Sequence, residues 1–238
     1  QTLLAAMRLG LAAPSVLVDL QDLPELAGLR EDGEAIRIGA MCTHASIAAS
    51  PLVRRALPGL ARLAAGIADA QVRSRGTIGG SVANADPAAC WPAGLLAADA
   101  RFETDRREIA ADDFFAGLFT TALEPDEVLR AVHVPRGARV GYLKAEQPAS
   151  RFALVGVALG RCDGRVRVAI TGLGDGVVRW PQAEAALARS WRPDALDGIR
   201  FDPDRAGSDL HASAEYRAHL AGVLARRTLA AAIGHPDD

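Results

Sequence analysis

Apolar and polar positions repeat with two different periods along this chain, and each change of period marks an element. "TLLAAMRLGL" has helical spacing and is stopped by "AAP". "SVLVDL" is a short continuous apolar run that predicts a buried strand. "LPEL" turns into "GLREDGEAIRIGA", where "DG" between a polar arm and the alternating "AIRIGA" predicts a hairpin. "THASIAASPLVRRALPGLARLAAGIA" predicts helix, with Thr43 as cap and Pro51 opening a second segment. "TIGGSVANAD" predicts an extended start followed by two turns. "CWPAGLLAADARFET" predicts a helix running into a strand, with Pro92 in its first turn.

The second half repeats the theme. "DDFFAGLFTTALEPDEVLRAVHVP" predicts a loop, a short helix, a turn at Glu124–Asp126 and the strand "VLRAVHVP". A Gly- and Arg-rich seam, "RGARVG", follows at 136–141. Beyond it lie the strands "FALVGVALG" and "VRVAITGLG", joined by a hairpin at "CDGR". "PQAEAALARSW" and "SAEYRAHLAGVLARRTLAAAI" predict helices, the second capped by Ser213. Strands followed by helices in each half give an α+β class with two units, 1–136 and 137–238.

Composition removes several functions. Half the residues are hydrophobic and about a quarter charged, which is globular usage. With 27 basic and 29 acidic residues, no global field recruits nucleic acid or an anionic membrane. The arginines of "RRALPGLAR" and "ARRTLAAA" read as solvated helix faces. No apolar run approaches the roughly 20 residues of a membrane span. Cys42, Cys90 and Cys162 are far apart and form no CxxC pair, so zinc-ribbon and iron–sulfur spacings are missing and free thiols in a reducing compartment, the cytoplasm, are expected. The five histidines form no HExxH, and His211 and His219 read as surface residues of a helical hairpin. No catalytic residue and no metal ligand set is expected on this chain, so any redox chemistry must come from a cofactor.

"RSRGTIGGSVANADPAAC" stands out. Gly79 and Gly80 lack Cβ, which permits positive φ, close approach of a ligand and a nest of backbone N–H groups for an oxyanion. Thr77 and Ser81 add hydroxyls, Asn84 offers a donor and an acceptor, and Asp86 accepts from a sugar hydroxyl. The set suits a phosphorylated cofactor with a polyol or ribose. The other reading is a tight turn joining a strand to a helix, capped by Asp86. "TGLGDG", Thr171 to Gly176, is spaced GxGxG rather than GxGxxG and reads as a turn.

At "RSRGTIGGSVANADPAACWPAGLLAADA" the chain resembles the FAD-binding medium subunit of molybdenum hydroxylases, the xanthine dehydrogenase and carbon monoxide dehydrogenase family. "IRIGAMCTHASIAASPLVRRALPGLARLAAGIADAQVRSRGTIGGS", "DFFAGLFTTALEPDEVLRAVHVP" and "SDLHASAEYRAHLAGVLARRTLAAA" extend the likeness, in the family's order, over nearly the whole chain. The resemblance implies a FAD-binding fold of the vanillyl-alcohol-oxidase (PCMH) type. A small α/β C-terminal domain, with a three-stranded antiparallel sheet and helices, would follow it. It implies an electron-transfer subunit in a hetero-oligomer. Electrons would pass from an iron–sulfur small subunit with 2Fe–2S clusters, fed by a molybdenum-cofactor large subunit, to NAD+, oxygen, a quinone or another acceptor. A stand-alone FAD oxidase and a FAD-free scaffold of the same fold are the alternatives.

By the same resemblance, Thr77, Ile78, Gly79, Gly80 and Ser81 line the pyrophosphate or ribityl region, with Asn84 and Asp86 close by. Ile67 and Ala68 lie near the adenine, Leu129 presses on the isoalloxazine, and Lys144 is the cation near the ring. Cys90 stands where the family commonly has Asp. Gln1, Thr2 and Leu3 look like the tail of the family's first flavin loop, whose glycines and N-terminal subdomain this chain lacks.

Overall fold

A computed structural model describes residues 1–233. The first helix, α1 (Thr2–Arg8), is exposed and leads into an extended stretch. A hairpin of β1 (Leu29–Asp32) and β2 (Ala35–Gly39) follows. Three short helices come next: α2 (His44–Ala49), α3 (Pro51–Ala56) and α4 (Pro58–Ala65). Pro51 opens α3 as expected, with Ser50 accepting from the Val53 N–H at its cap. Pro58 adds a break that the periodicity concealed, because a proline in the first turn is compatible with either reading. Then come α5 (Ala70–Arg75), α6 (Ile78–Asn84) and α7 (Cys90–Ala97). The unit continues through β3 (Arg101–Thr104), β4 (Glu108–Ala110), α8 (Ala111–Phe114), β5 (Phe115–Gly117), β6 (Thr120–Thr121) and β7 (Leu129–Pro135).

Strands β1, β2, β7, β3 and β4 form one antiparallel sheet in that order. Its alternation carries Ile36, Ile38, Val132 and Val134 into a core with Ile47, Leu60, Ile78, Trp91 and Leu95 from the helices. On the opposite face, Arg37 lies buried across from His133 and donates from Nε and Nη2 to Glu103 at 2.9 and 3.2 Å.

The second sheet contains β8 (Arg139–Glu146), β9 (Ala153–Cys162), β10 (Arg165–Thr171) and β11 (Val178–Arg179). Helices α9 (Pro181–Arg189) and α10 (Ala214–Ile233) cover one face. Helices α4 and α7 press on the other. Along β9, Val155, Val157 and Leu159 therefore join a second core with Leu224 and Leu229, while Ala158 and Cys162 join the first. Burial on both faces explains why "FALVGVALG" reads as an unbroken apolar run. The helix backbones touch the strands directly: a Cβ on Gly59 would overlap the Val140 carbonyl, and one on Gly160 would overlap that of Ala97.

Three expectations change. "SVLVDL" forms no strand, and Val16 and Val18 are 73% and 76% exposed. A strand needs a hydrogen-bonding neighbour, and none among the described strands pairs with these residues. The C-terminal sheet has four strands rather than three, because the chain after the "TGLGDG" turn returns to pair Val178 and Arg179 with Ile170 and Ala169. "TIGGSVAN" is helical rather than extended, for reasons found in its neighbours.

Candidate functional site

Helix α6 is built onto the segment that leaves β2. The His44 N–H donates to Gly76 O at 2.9 Å, the Ile78 N–H to Cys42 O at 3.0 Å and the Gly79 N–H to Ala40 O at 2.9 Å. Thr77 caps the helix, its Oγ1 accepting from the Gly80 N–H at 3.0 Å. The Ser81 N–H donates to Thr77 O at 3.1 Å. The first-turn donors are therefore all used inside the chain, and the expected oxyanion nest of free backbone N–H groups is not formed.

The glycines serve another purpose than positive φ, since both lie in the helix. A Cβ on Gly79 would stand 2.6 Å from Ala40 Cβ and 2.7 Å from its carbonyl oxygen, so a side chain here requires the Ala40 segment to move. Gly80 is exposed, and a Cβ there would meet only Thr77 Oγ1, at 3.0 Å. Positive φ falls instead on Ala68 (43°) and on Ala85 (46°), the left-handed residue that ends α6.

What α6 presents outward is a stripe of small and polar groups. Thr77, Gly80, Ser81 and Asn84 follow helical spacing and are exposed or half-exposed, whereas Ile78, Gly79 and Val82 face the core. The Ser81 hydroxyl and the Asn84 amide have no partner among the described residues. Asp86 Oδ1 accepts from the Ala88 N–H at 2.8 Å and shapes the turn into α7 without capping that helix, whose N-cap is Ala89. The C-terminal sheet holds that turn from behind: Thr171 Oγ1 donates to the Pro87 carbonyl, and the Gly172 N–H donates to it at 2.7 Å.

The remaining expected residues disperse. Ile67 and Ala68 form the corner before α5, where both carbonyls accept from Arg73 Nη1 at 2.8 and 2.7 Å. Gln1, Thr2 and Leu3 start the exposed α1, and no hydrogen bond among the described residues ties them to α6. Leu129 opens β7 and is only 6% exposed, packed in the first core. Lys144 lies on β8, donating to Arg151 O at 2.7 Å and standing 3.3 Å from Glu146. It lines a cavity of about 400 Å³ with Gly66 and Thr228 that none of Thr77–Ser81 faces. Cys90 is buried at the start of α7 beside Lys144 and Tyr142, and burial pushes its thiol up. Beside it, the Tyr142 hydroxyl is buried with no oxygen or nitrogen partner.

One pair under the site gave no signal in the sequence. Trp91 Nε1 donates to His44 Nδ1 at 3.0 Å, deep in the interior. Indole only donates, so the neutral imidazole carries its proton on Nε2. Burial first, then the charges of Arg73 and the amino terminus, lower the His44 pKa from 6.5 to about 4. A histidine directly after a helix cap looks like any first-turn residue, and nothing local announces Trp91.

The family model described as the FAD binding domain in molybdopterin dehydrogenase matches residues 1–137. The chain is 39% identical to the nicotine 6-hydroxylase medium subunit of Paenarthrobacter nicotinovorans, over 96% of this chain and 86% of the relative. It is 34% identical to the carbon monoxide dehydrogenase medium chain of Hydrogenophaga pseudoflava, over 97% and 86%. Its structure resembles that of carbon monoxide dehydrogenase from H. pseudoflava, with a TM-score of 0.85, 35% identity, and coverage of 98% of this chain and 87% of that one. A Cu,Mo-CO dehydrogenase structure matches with a TM-score of 0.88 and 31% identity, over 98% and 87%.

Proposed function

The chain belongs to the family of FAD-binding medium subunits of the molybdopterin dehydrogenases, and from that premise we propose that it passes electrons from an iron–sulfur subunit to NAD+, oxygen or another acceptor. In this reading it works in a cytoplasmic hetero-oligomer with a molybdenum-cofactor large subunit and an iron–sulfur small subunit. No helix among the described residues is long and apolar enough to cross a membrane. The flavin unit spans 1–136, and 137–238 form the C-terminal unit.

Bound FAD would supply the redox chemistry; the chain's own residues bind and orient it. The observation that carries the proposal is the outward stripe of α6, where a hydroxyl and an amide await partners around a glycine that leaves space. Ser81 and Asn84 donate to the phosphate or polyol part, Gly80 permits close approach, and Asp86 accepts from a hydroxyl through its remaining oxygen. Thr77 keeps its hydroxyl proton for the cofactor while its lone pair caps the helix. The internal bonds of Ile78 and Gly79 fix this stripe before any ligand arrives, which lowers the ordering cost of binding.

The test is the blue absorbance of the complex purified with its partner subunits, for the parent and for Ser81→Ala with Asn84→Ala. The proposal expects flavin in the parent and its loss, with normal assembly, in the double variant. Full flavin in that variant refutes the site. A flavin-free scaffold is the second reading, favoured by the internal use of every first-turn N–H of α6; a colourless parent complex would establish it.

A further inference from the structure

The seam between the two sheets contains a groove distinct from the α6 surface. The groove, of about 1030 Å³, runs between the β7–β8 turn, the start of α4 and the β9–β10 hairpin. It shares none of its lining residues with the flavin surface. Four arginines line it: Arg55, Arg136, Arg139 and Arg161. Glu31 engages two of them, at 3.7 Å from Arg55 and 3.2 Å from Arg136.

Arg139 and Arg161 are different. They sit directly opposite each other across the β8–β9 ladder, and neither has an acidic or hydrogen-bonding partner among the described residues. Cβ atoms so paired are about 5 Å apart, and like charges in that arrangement destabilise a sheet. Asp163 lines the same groove without forming an ion pair to either. An anion between the two guanidinium groups converts the repulsion into two charge-assisted bidentate contacts. The start of α4 opens here too, and its cap residue, Leu57, supplies no side-chain acceptor, so the positive end of the helix adds to the field. Trp191, half-buried against the second core, supplies an aromatic surface on the wall.

We propose that this arginine-lined groove binds a nucleoside diphosphate, with Arg139 and Arg161 holding the phosphates and Trp191 the base. The volume is that of a small-molecule cleft. Two opposed guanidinium groups match a pyrophosphate, whose adjacent phosphates each accept a bidentate donor.

Calorimetric titration of the flavin-loaded complex with ADP, with pyrophosphate and with adenosine tests this. Using the loaded complex keeps the flavin surface from taking ADP itself. Saturable ADP binding is expected, with pyrophosphate weaker and adenosine weakest. Arg139→Gln with Arg161→Gln should weaken ADP by about tenfold or more while flavin content stays unchanged. Trp191→Leu should weaken ADP but not pyrophosphate. No saturable ADP binding, or binding indifferent to the arginine pair, overturns the proposal. Loss of subunit assembly in that pair without any ADP binding would make the groove a protein contact and overturn it too. Failure of the flavin reading would show separately, as a colourless parent.

Discussion

Adjacent glycines at 79 and 80 allow fold and binding to be separated by one methyl group each. Alanine at 79 places Cβ 2.6 Å from Ala40 Cβ, 2.7 Å from its oxygen and 2.9 Å from its Cα, all on a backbone already bonded to the Gly79 N–H. No flexible side chain can yield, so the segment after β2 must move. Overpacking of this kind costs about 1–3 kcal/mol. Alanine returns roughly 1 kcal/mol of helix propensity, leaving a net loss on the order of 1 kcal/mol. At 80 the new Cβ points outward and meets only Thr77 Oγ1. Propensity then offsets that contact, and stability should change by less than about 0.5 kcal/mol. Urea unfolding of each variant, followed beside its flavin absorbance, reads both quantities. Gly80→Ala should lose flavin while keeping stability, and Gly79→Ala should lose stability first. A Gly79→Ala protein as stable as the parent would refute the packing argument, and a Gly80→Ala protein with full flavin would refute close approach.

Two further predictions concern the interior. His44 is held neutral, so below its ordinary 6.5 the unfolded chain takes up a proton that the folded one refuses until about 4. Its stabilisation is complete above pH 6.5 and is lost as pH falls toward 4; His44→Asn, which keeps an acceptor for Trp91, should flatten unfolding midpoints over that range, and an unchanged slope would remove His44 as the cause. Tyr142→Phe deletes a buried hydroxyl without an oxygen or nitrogen partner and should raise stability by about 1 kcal/mol. A less stable Phe variant would mean that the Cys90 thiol satisfies the hydroxyl.

The elements legible in the sequence are those whose signals are local. "AIRIGA" and "VLRAVHVP" alternate because one face of each strand is core, and they pair as β2 and β7. "CDGR" makes its hairpin because Asp163 and Gly164 both take positive φ, at 49° and 76°. The misread elements depend on distant partners. Two glycines disfavour helix by themselves, and α6 forms because residues 40–43 bond its first turn. "SVLVDL" carries a strand's composition, but composition supplies no neighbour. The residues of the α6 surface are legible in the sequence, but which of its backbone N–H groups remain free is not, because the carbonyls of Ala40 and Cys42, far earlier in the chain, take those of Gly79 and Ile78.

The direct backbone contacts of Gly59 with Val140 and of Gly160 with Ala97 bear on how the subunit carries mechanical load. Side-chain interfaces can slide by changing rotamers; backbone seated on backbone has no such play. Helix α7 is clamped by the C-terminal sheet, and the turn into it from α6 is bonded by Thr171, the last residue of β10, and by Gly172 just after it. The outer sheet and the turn between α6 and α7 are thus held to each other by hydrogen bonds to backbone rather than by side-chain packing alone. A docking subunit that shifted this sheet would also shift the turn that follows α6, and in the proposed reading of that helix would re-aim Ser81 and Asn84.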